Sequence, residues 1–249
     1  MSIKSFHSRP QKLLSWSITA AMTLGMLVSV PKQVTGQAQP PQSAQQSAEL
    51  QETVKLNQQA IQLYRQGKYS EAIPLAKRAL AIREKVLGRE HQDVATSMTN
   101  LAELYRVQGN YTKAKPLLLK ALAIREKVLG KEHPDVANSQ NNLAGFYFSQ
   151  GNYIKAEPLF LQAVAIWEKV LGKEHPFMAT SLNNLAELYR SQGNYIKAEP
   201  LIIRALTIAE KVIGKENLNV GKSLNNLALL YSSQGNYVKA ESLYLRALT

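Results

Sequence analysis

Cysteine is absent from all 249 residues. That excludes disulfide bridges, thiolate metal sites, cysteine nucleophiles and a lipid-modified cysteine. Acidic residues are the scarcer charge, 18 against 30 lysines and arginines, for a net charge of +12. Lys4, Arg9, Lys12 and Lys32 precede any acidic residue, and the remaining cations are dispersed, which reads as a solvated surface. No concentrated basic, aromatic surface marks a nucleic-acid binder. A Gly-rich phosphate loop, a Ser-His-Asp arrangement and a paired-carboxylate constellation are also missing, so neither catalysis nor a cofactor is expected.

Apolar runs are equally scarce. One spans residues 13–30, behind the basic start Lys4, Arg9 and Lys12, and Gly36-Gln37-Ala38 follows as a small-x-small cleavage pattern. The run barely reaches the length of about 20 apolar residues that a membrane span needs. Residues 1–38 are therefore read as a cleaved signal peptide, with an uncleaved membrane anchor as the alternative. The expected destination is periplasmic or secreted. Residues 39–49 are polar and contain Pro40-Pro41, which predicts a flexible, disordered linker.

What is abundant is repetition. Glycine recurs at Gly67, Gly109, Gly151, Gly193 and Gly235, every 42 residues, and Tyr69, Tyr111, Tyr153, Tyr195 and Tyr237 keep step with it, as do Ala72, Ala114, Ala156, Ala198 and Ala240. A fixed period of this size marks a solenoid, whose units bury their apolar faces on one another. Within a unit, Ala95, Met98, Leu101, Ala102 and Tyr105 follow helical spacing up to Gly109; a second helical run, from Ala114 to Leu129, stops at Gly130. Pro116 is expected near the first turn of that second helix, and Pro134 with Asp135 at the start of the next one. The prediction is five helix pairs over 50–249, at 50–88, 93–130, 135–172, 177–214 and 219–249, the last incomplete and without a polar capping helix.

Leu101-Ala102, Tyr105, Gly109, Tyr111, Ala114 and Ala121 resemble the tetratricopeptide repeat. The longer unit, with Asn183-Asn184-Leu185-Ala186, Tyr189 and Gly130-Lys131-Glu132-His133-Pro134-Asp135, is similar to the kinesin light chain subclass of that repeat. The resemblance implies an all-α, right-handed α-solenoid of antiparallel helix pairs, whose first helices line a groove. It does not extend to a kinesin partner, because no heptad region is present. HEAT and armadillo repeats have similar periods but lack the Gly-x-Tyr-x-x-Ala turn.

Carried onto these residues, the groove positions are Asn141 and Asn183, then Asn100, Asn142, Asn184 and Asn226, with Glu103, Gly145 and Glu187, and Arg106, Phe148 and Arg190. Asparagine is a poor helix former, so its recurrence calls for a purpose. A side-chain amide both donates and accepts, and a row of them can pair with the main chain of an extended peptide. The competing reading is that the first asparagine of each pair holds neighbouring units in register. Gly145 and Phe148 replace the Glu/Arg pair of the flanking units, which suggests a pocket for one partner side chain. His91, His133 and His175 recur once per unit. Stacked helix pairs lie about 20 Å apart, at 8–10 Å per packed helix, too far for a shared metal, so these are read as loop residues entering the next helix.

The expected function is an exported scaffold that binds an extended segment of another protein. Two alternatives are a repeat module of a longer enzyme such as a protease, and a basic outer wall (Lys77, Arg78, Lys120, Arg125, Arg204, Arg246) that binds membrane or an acidic polymer. No metal, cofactor or nucleic acid is expected, and membrane contact only through an uncleaved N-terminal segment. The sequence does not fix the oligomeric state.

Overall fold

The structure, a computed structural model, describes residues 44–213 and 218–248. The expected signal peptide at 1–38 and the first part of the expected linker lie outside the described residues. Ten helices and no strand occur among the described residues. In order they are α1 (Ala44–Arg65), α2 (Tyr69–Leu87), α3 (Gln92–Val107), α4 (Tyr111–Leu129), α5 (Pro134–Ser149), α6 (Tyr153–Leu171), α7 (Pro176–Ser191), α8 (Tyr195–Ile213), α9 (Leu218–Ser233) and α10 (Tyr237–Ala247). Each odd-numbered helix pairs with the even-numbered helix that follows, one pair per repeat. No helix among the described residues is long and apolar enough to cross a membrane.

The linker expectation needs one correction. Residues 44–49 are helical, because α1 begins at Ala44. This stretch holds no proline or glycine, and Glu49 at its end meets Lys85 of α2 at 3.0 Å. Residues 44–48 are exposed, and the Glu49 contact, invisible in local composition, ties the end of the stretch to a second helix.

The turn inside each pair follows from two residues. Gly109 sits at φ 75°. Its N–H donates to the Arg106 carbonyl at 2.9 Å, and the Asn110 N–H reaches back to the Tyr105 carbonyl at 2.8 Å. These are the two bonds of a left-handed C-terminal cap. The Asn110 side chain then accepts from the Lys113 N–H at 3.3 Å, capping α4. One dipeptide thus ends one helix and starts the next. Pro116 is the sixth residue of α4 rather than part of its first turn. The cap at Asn110 fixes the first turn before the ring, and the proline forfeits one bond, to the Thr112 carbonyl in an exposed turn.

The described chain falls into two compact bodies, residues 44–181 and 182–248. In the first, Tyr64, Ala72, Ala76, Leu101, Ala102, Tyr105, Ala114, Leu118, Leu143 and Phe146 form a continuous core. A smaller cluster joins Val94, Ala95 and Met98 of α3 to Ala121 and Ile124 of α4. In the second body Leu185, Leu188, Ile202, Leu224, Leu227 and Leu230 are buried. The recurrent alanines Ala72, Ala114, Ala156, Ala198 and Ala240 are no more than 1 % exposed. Their small side chains let paired helices approach closely, which a larger residue would prevent.

Candidate peptide-binding face

The amide row splits in two. Asn183 of α7 donates through Nδ2 to Ser223 Oγ of α9 at 2.8 Å, and its Oδ1 accepts from Asn226 Nδ2 at 3.3 Å. Asn141 of α5 accepts from Ser181 Oγ at 3.2 Å. These three asparagines and Asn184 are all buried. Asn141, Asn183 and Asn226 hold one repeat to the next, which is the register role. Asn100 of α3 and Asn142 of α5 are different: both are half-buried, and no side-chain hydrogen bond engages either amide among the described residues. They occupy the same position of consecutive repeats.

The charged pairs are closed on themselves. Arg106 grips Glu103 with two bonds of 2.7 Å, and Tyr64 Oη donates to the same carboxylate at 3.0 Å. Burial beside that carboxylate pushes the Tyr64 phenol well above its usual range. Burial also opposes the charge on Arg106, but the bonds and charge of Glu103 outweigh it and leave the guanidinium raised. Arg190 holds Glu187 in the same way, at 2.8 and 2.6 Å, and adds a bond to Ser233 Oγ at 3.3 Å. With their hydrogen-bonding groups occupied, these pairs act first as struts between helices.

The third repeat departs from that pattern. Gly145 is buried in α5, while Phe148 is half-buried with its ring 5.5 Å from that of Tyr153. Where α3 presents a bidentate ion pair, α5 presents an aromatic surface.

Sequence reasoning missed the serine column Ser97, Ser139, Ser181 and Ser223, which keeps the 42-residue spacing and is buried throughout. Arg83 Nη1 donates to Ser97 Oγ at 2.9 Å, and Arg125 Nη1 to Ser139 Oγ at 2.6 Å. Arg125 also reaches Thr96 Oγ1 at 2.9 Å, and burial lowers its affinity for its proton. In the third repeat Trp167 stands at the arginine position, and its Nε1 is buried without a partner among the described residues, as are Gln140 Oε1 and Asn226 Oδ1.

Three of the six cations of the expected basic outer wall have partners or are buried. Arg125 is buried, Arg78 pairs with Glu52 at 2.5 Å, and Arg246 pairs with Glu210. The histidines take a definite role instead. Nδ1 of His91, His133 and His175 accepts the N–H of Asp93, Asp135 and Phe177 at 3.1, 3.1 and 3.2 Å, capping α3, α5 and α7. Among the described residues no group of three or more metal-ligating side chains occurs.

Stacked helix pairs joined by side-chain bolts define a helical-repeat scaffold, of the kind that typically mediates protein–protein interaction. The tetratricopeptide repeat profile matches residues 51–127, 93–144, 135–201 and 177–249, and the chain belongs to that family. Among solved structures it resembles the nearly identical TPR-like repeats assigned to a kinesin light chain of Podosopora anserina, with 30% identity over 80% of this chain and 94% of that one and a TM-score of 0.63. BtubC (BKLC) from P. vanneervenii is similar at 25% identity over 82% and 87%, with a TM-score of 0.64. PilF of Pseudomonas aeruginosa, at 19% identity over 81% and 77% and a TM-score of 0.57, shares the fold. No curated protein matches the chain in sequence. Relatives of this fold are generally non-catalytic scaffolds.

Proposed function

We propose that the chain is an exported scaffold that holds an extended segment of another protein against the first helices of its N-terminal body. The observation that supports this reading is the pair Asn100 and Asn142. Both amides are accessible and unbonded at equivalent positions of adjacent repeats, while Asn141, their neighbour in sequence, is bonded internally. An amide that donates and accepts suits the N–H and C=O of an extended main chain. Phe148, beside the side-chain-free Gly145, supplies an apolar wall for one side chain of the bound segment.

Selection from a displayed library of random peptides provides a ligand for the test. Replacing Asn100 and Asn142 together with alanine should weaken that ligand about tenfold or more, at about 1 kcal/mol for each hydrogen bond lost. Phe148→Ala should weaken it further, and Lys169→Ala, whose ammonium is 2.6 Å from Glu132 on the exposed wall, should not. Equal losses from the asparagine and lysine substitutions would remove the groove from consideration. Export is tested separately by N-terminal sequencing of the mature protein. A chain starting at Gln39 fits the reading, and an intact Met1 on a cytosolic chain defeats it.

A further inference from the structure

The second residue of each even-numbered helix lies at the tip of a hairpin and changes character along the chain. It is Ser70, then Thr112, then Ile154, Ile196 and Val238. The last three are 89 %, 90 % and 81 % exposed, more open than the aliphatic ridges on the outer wall such as Leu119 and Leu161 at 42 % and 44 %. In the C-terminal body two such tips stand on one edge. Tyr231, near the end of α9, donates through Oη to Glu199 Oε1 in the first turns of α8 at 2.7 Å. Arg190, at the end of α7, reaches Ser233 at the end of α9. The α7–α8 and α9–α10 turns are therefore neighbours.

Each aliphatic tip is followed by a lysine. Lys197 Nζ lies 4.9 Å from the ring centroid of Tyr189, and Lys239 Nζ 4.9 Å from that of Tyr231, and neither forms an ion pair among the described residues. Glu199, two residues beyond Lys197, is occupied by Tyr231, and Glu241 stands two residues beyond Lys239. Tyr237, immediately before Val238, is 71 % exposed.

We propose that this edge of the C-terminal body docks on an anionic lipid surface, with Ile196 and Val238 entering the headgroup region and Lys197 and Lys239 meeting lipid phosphates. The apolar groups come one to a tip, set apart by polar Gln-Gly-Asn turns, and do not form the contiguous patch that a packed protein interface needs. Tyrosine and lysine flanking a lone aliphatic group match the boundary between water and hydrocarbon, where rings lie at headgroup level and long cationic stems extend to phosphate. Unpaired ammonium groups favour an anionic leaflet over a neutral one.

The absence of native cysteine allows a single-site test on the full chain. Ile196→Cys, Val238→Cys and, at the polar tip of the second repeat, Thr112→Cys are each labelled with an environment-sensitive fluorophore. Vesicles of phosphatidylcholine with phosphatidylglycerol should blue-shift the label at 196 and 238 and leave 112 unchanged, and phosphatidylcholine alone should give little shift. Because each label reports its own surroundings, attachment of the chain through its N-terminal segment does not imitate this pattern. Ile196→Ser with Val238→Thr, copying the first two repeats, should lower vesicle affinity about tenfold, as expected for withdrawing two aliphatic groups, while the salt dependence carried by the two lysines remains. An unchanged label at 196 and 238, or an equal shift at 112, overturns the proposal. A shift at 196 produced by a protein fraction but not by vesicles reassigns the edge to a protein and overturns it as well.

Discussion

Successive repeats are joined by two different devices, and the change occurs partway along the chain. Between the first and second repeats, and again between the second and third, an arginine of the even-numbered helix reaches a serine of the next repeat: Arg83 to Ser97, Arg125 to Ser139. Between the third and fourth, and the fourth and fifth, the serine is met by an asparagine of an odd-numbered helix: Asn141 with Ser181, Asn183 with Ser223. The serine stays and its partner moves. An arginine bolt brings a charge to the junction, received at Arg83 by two hydroxyls and the Asp93 carbonyl and at the buried Arg125 by hydroxyls, whereas an asparagine bolt is neutral. At the position equivalent to Asn100 and Asn142, Asn226 is buried and donates to the bolt residue Asn183, whereas Asn100 and Asn142 are half-buried.

Asn183→Ala breaks this comparison most severely. It removes the donor to Ser223 and the acceptor of Asn226 in the buried interior of the C-terminal body. Ser223 keeps its bond to the Asn219 carbonyl, the Asn226 amide keeps no side-chain partner among the described residues, and the combined loss should cost about 2–4 kcal/mol. Urea unfolding followed by circular dichroism reads the loss. A cost below that of an ordinary surface substitution would show that the bolt contributes nothing.

Asn141→Ala should cost about 1–3 kcal/mol: it removes the acceptor of the buried Ser181 hydroxyl, which can turn toward a carbonyl of its own helix as Ser139 does toward Asp135. The same urea titrations read the loss, and no measurable change would show that the Asn141–Ser181 bond contributes nothing to the junction.

Arg125→Met asks the opposite question of the other device. Removing a buried guanidinium with no carboxylate bonded to it also removes its desolvation penalty, and Ser139 keeps its bond to Asp135. The change in stability should stay within about 1 kcal/mol and could be favourable. Trp167, already an apolar replacement at this position, is the protein's own precedent. A loss as large as that of Asn183→Ala would make the two bolts equivalent and end the distinction.

The regular 42-residue recurrence of glycine, tyrosine and alanine carried most of the fold, because each of those residues answers a local demand: a left-handed turn, a ring in the core, a close helix approach. The candidate site was harder to read. Asn142 and Asn141 are neighbours in sequence with the same chemistry, and whether each faces a ligand or a serine depends on a residue forty positions away. The serine column and Arg83 and Arg125 had the same spacing as the glycines and were available as a signal. A hydroxyl on a helix is so often solvated, however, that its recurrence carried no weight until the packing was known. Histidine as a helix cap was missed for a related reason: the usual caps are Ser, Thr, Asp and Asn, and only the geometry shows Nδ1 accepting a backbone N–H.

The smallest predicted effect lies at the third histidine cap. In the first two, Nδ1 of His91 and of His133 lies 3.8 Å from Asp93 Oδ2 and 3.7 Å from Asp135 Oδ2 respectively. His175 faces the ring of Phe177, 4.9 Å away, where the other two units carry aspartate, and burial holds its pKa below the ordinary value of 6.5. A lowered folded-state value means the unfolded chain binds the proton more readily. The contribution of His175 is therefore complete above 6.5 and is lost as pH falls from there through the folded-state value. The loss should remain under about 1 kcal/mol, the lower range for a helix cap. His175→Asn, which keeps an acceptor that does not titrate, should flatten the decline of the urea midpoint below 6.5. An unchanged decline would mean that the His175 imidazole contributes no pH-dependent stability at this cap.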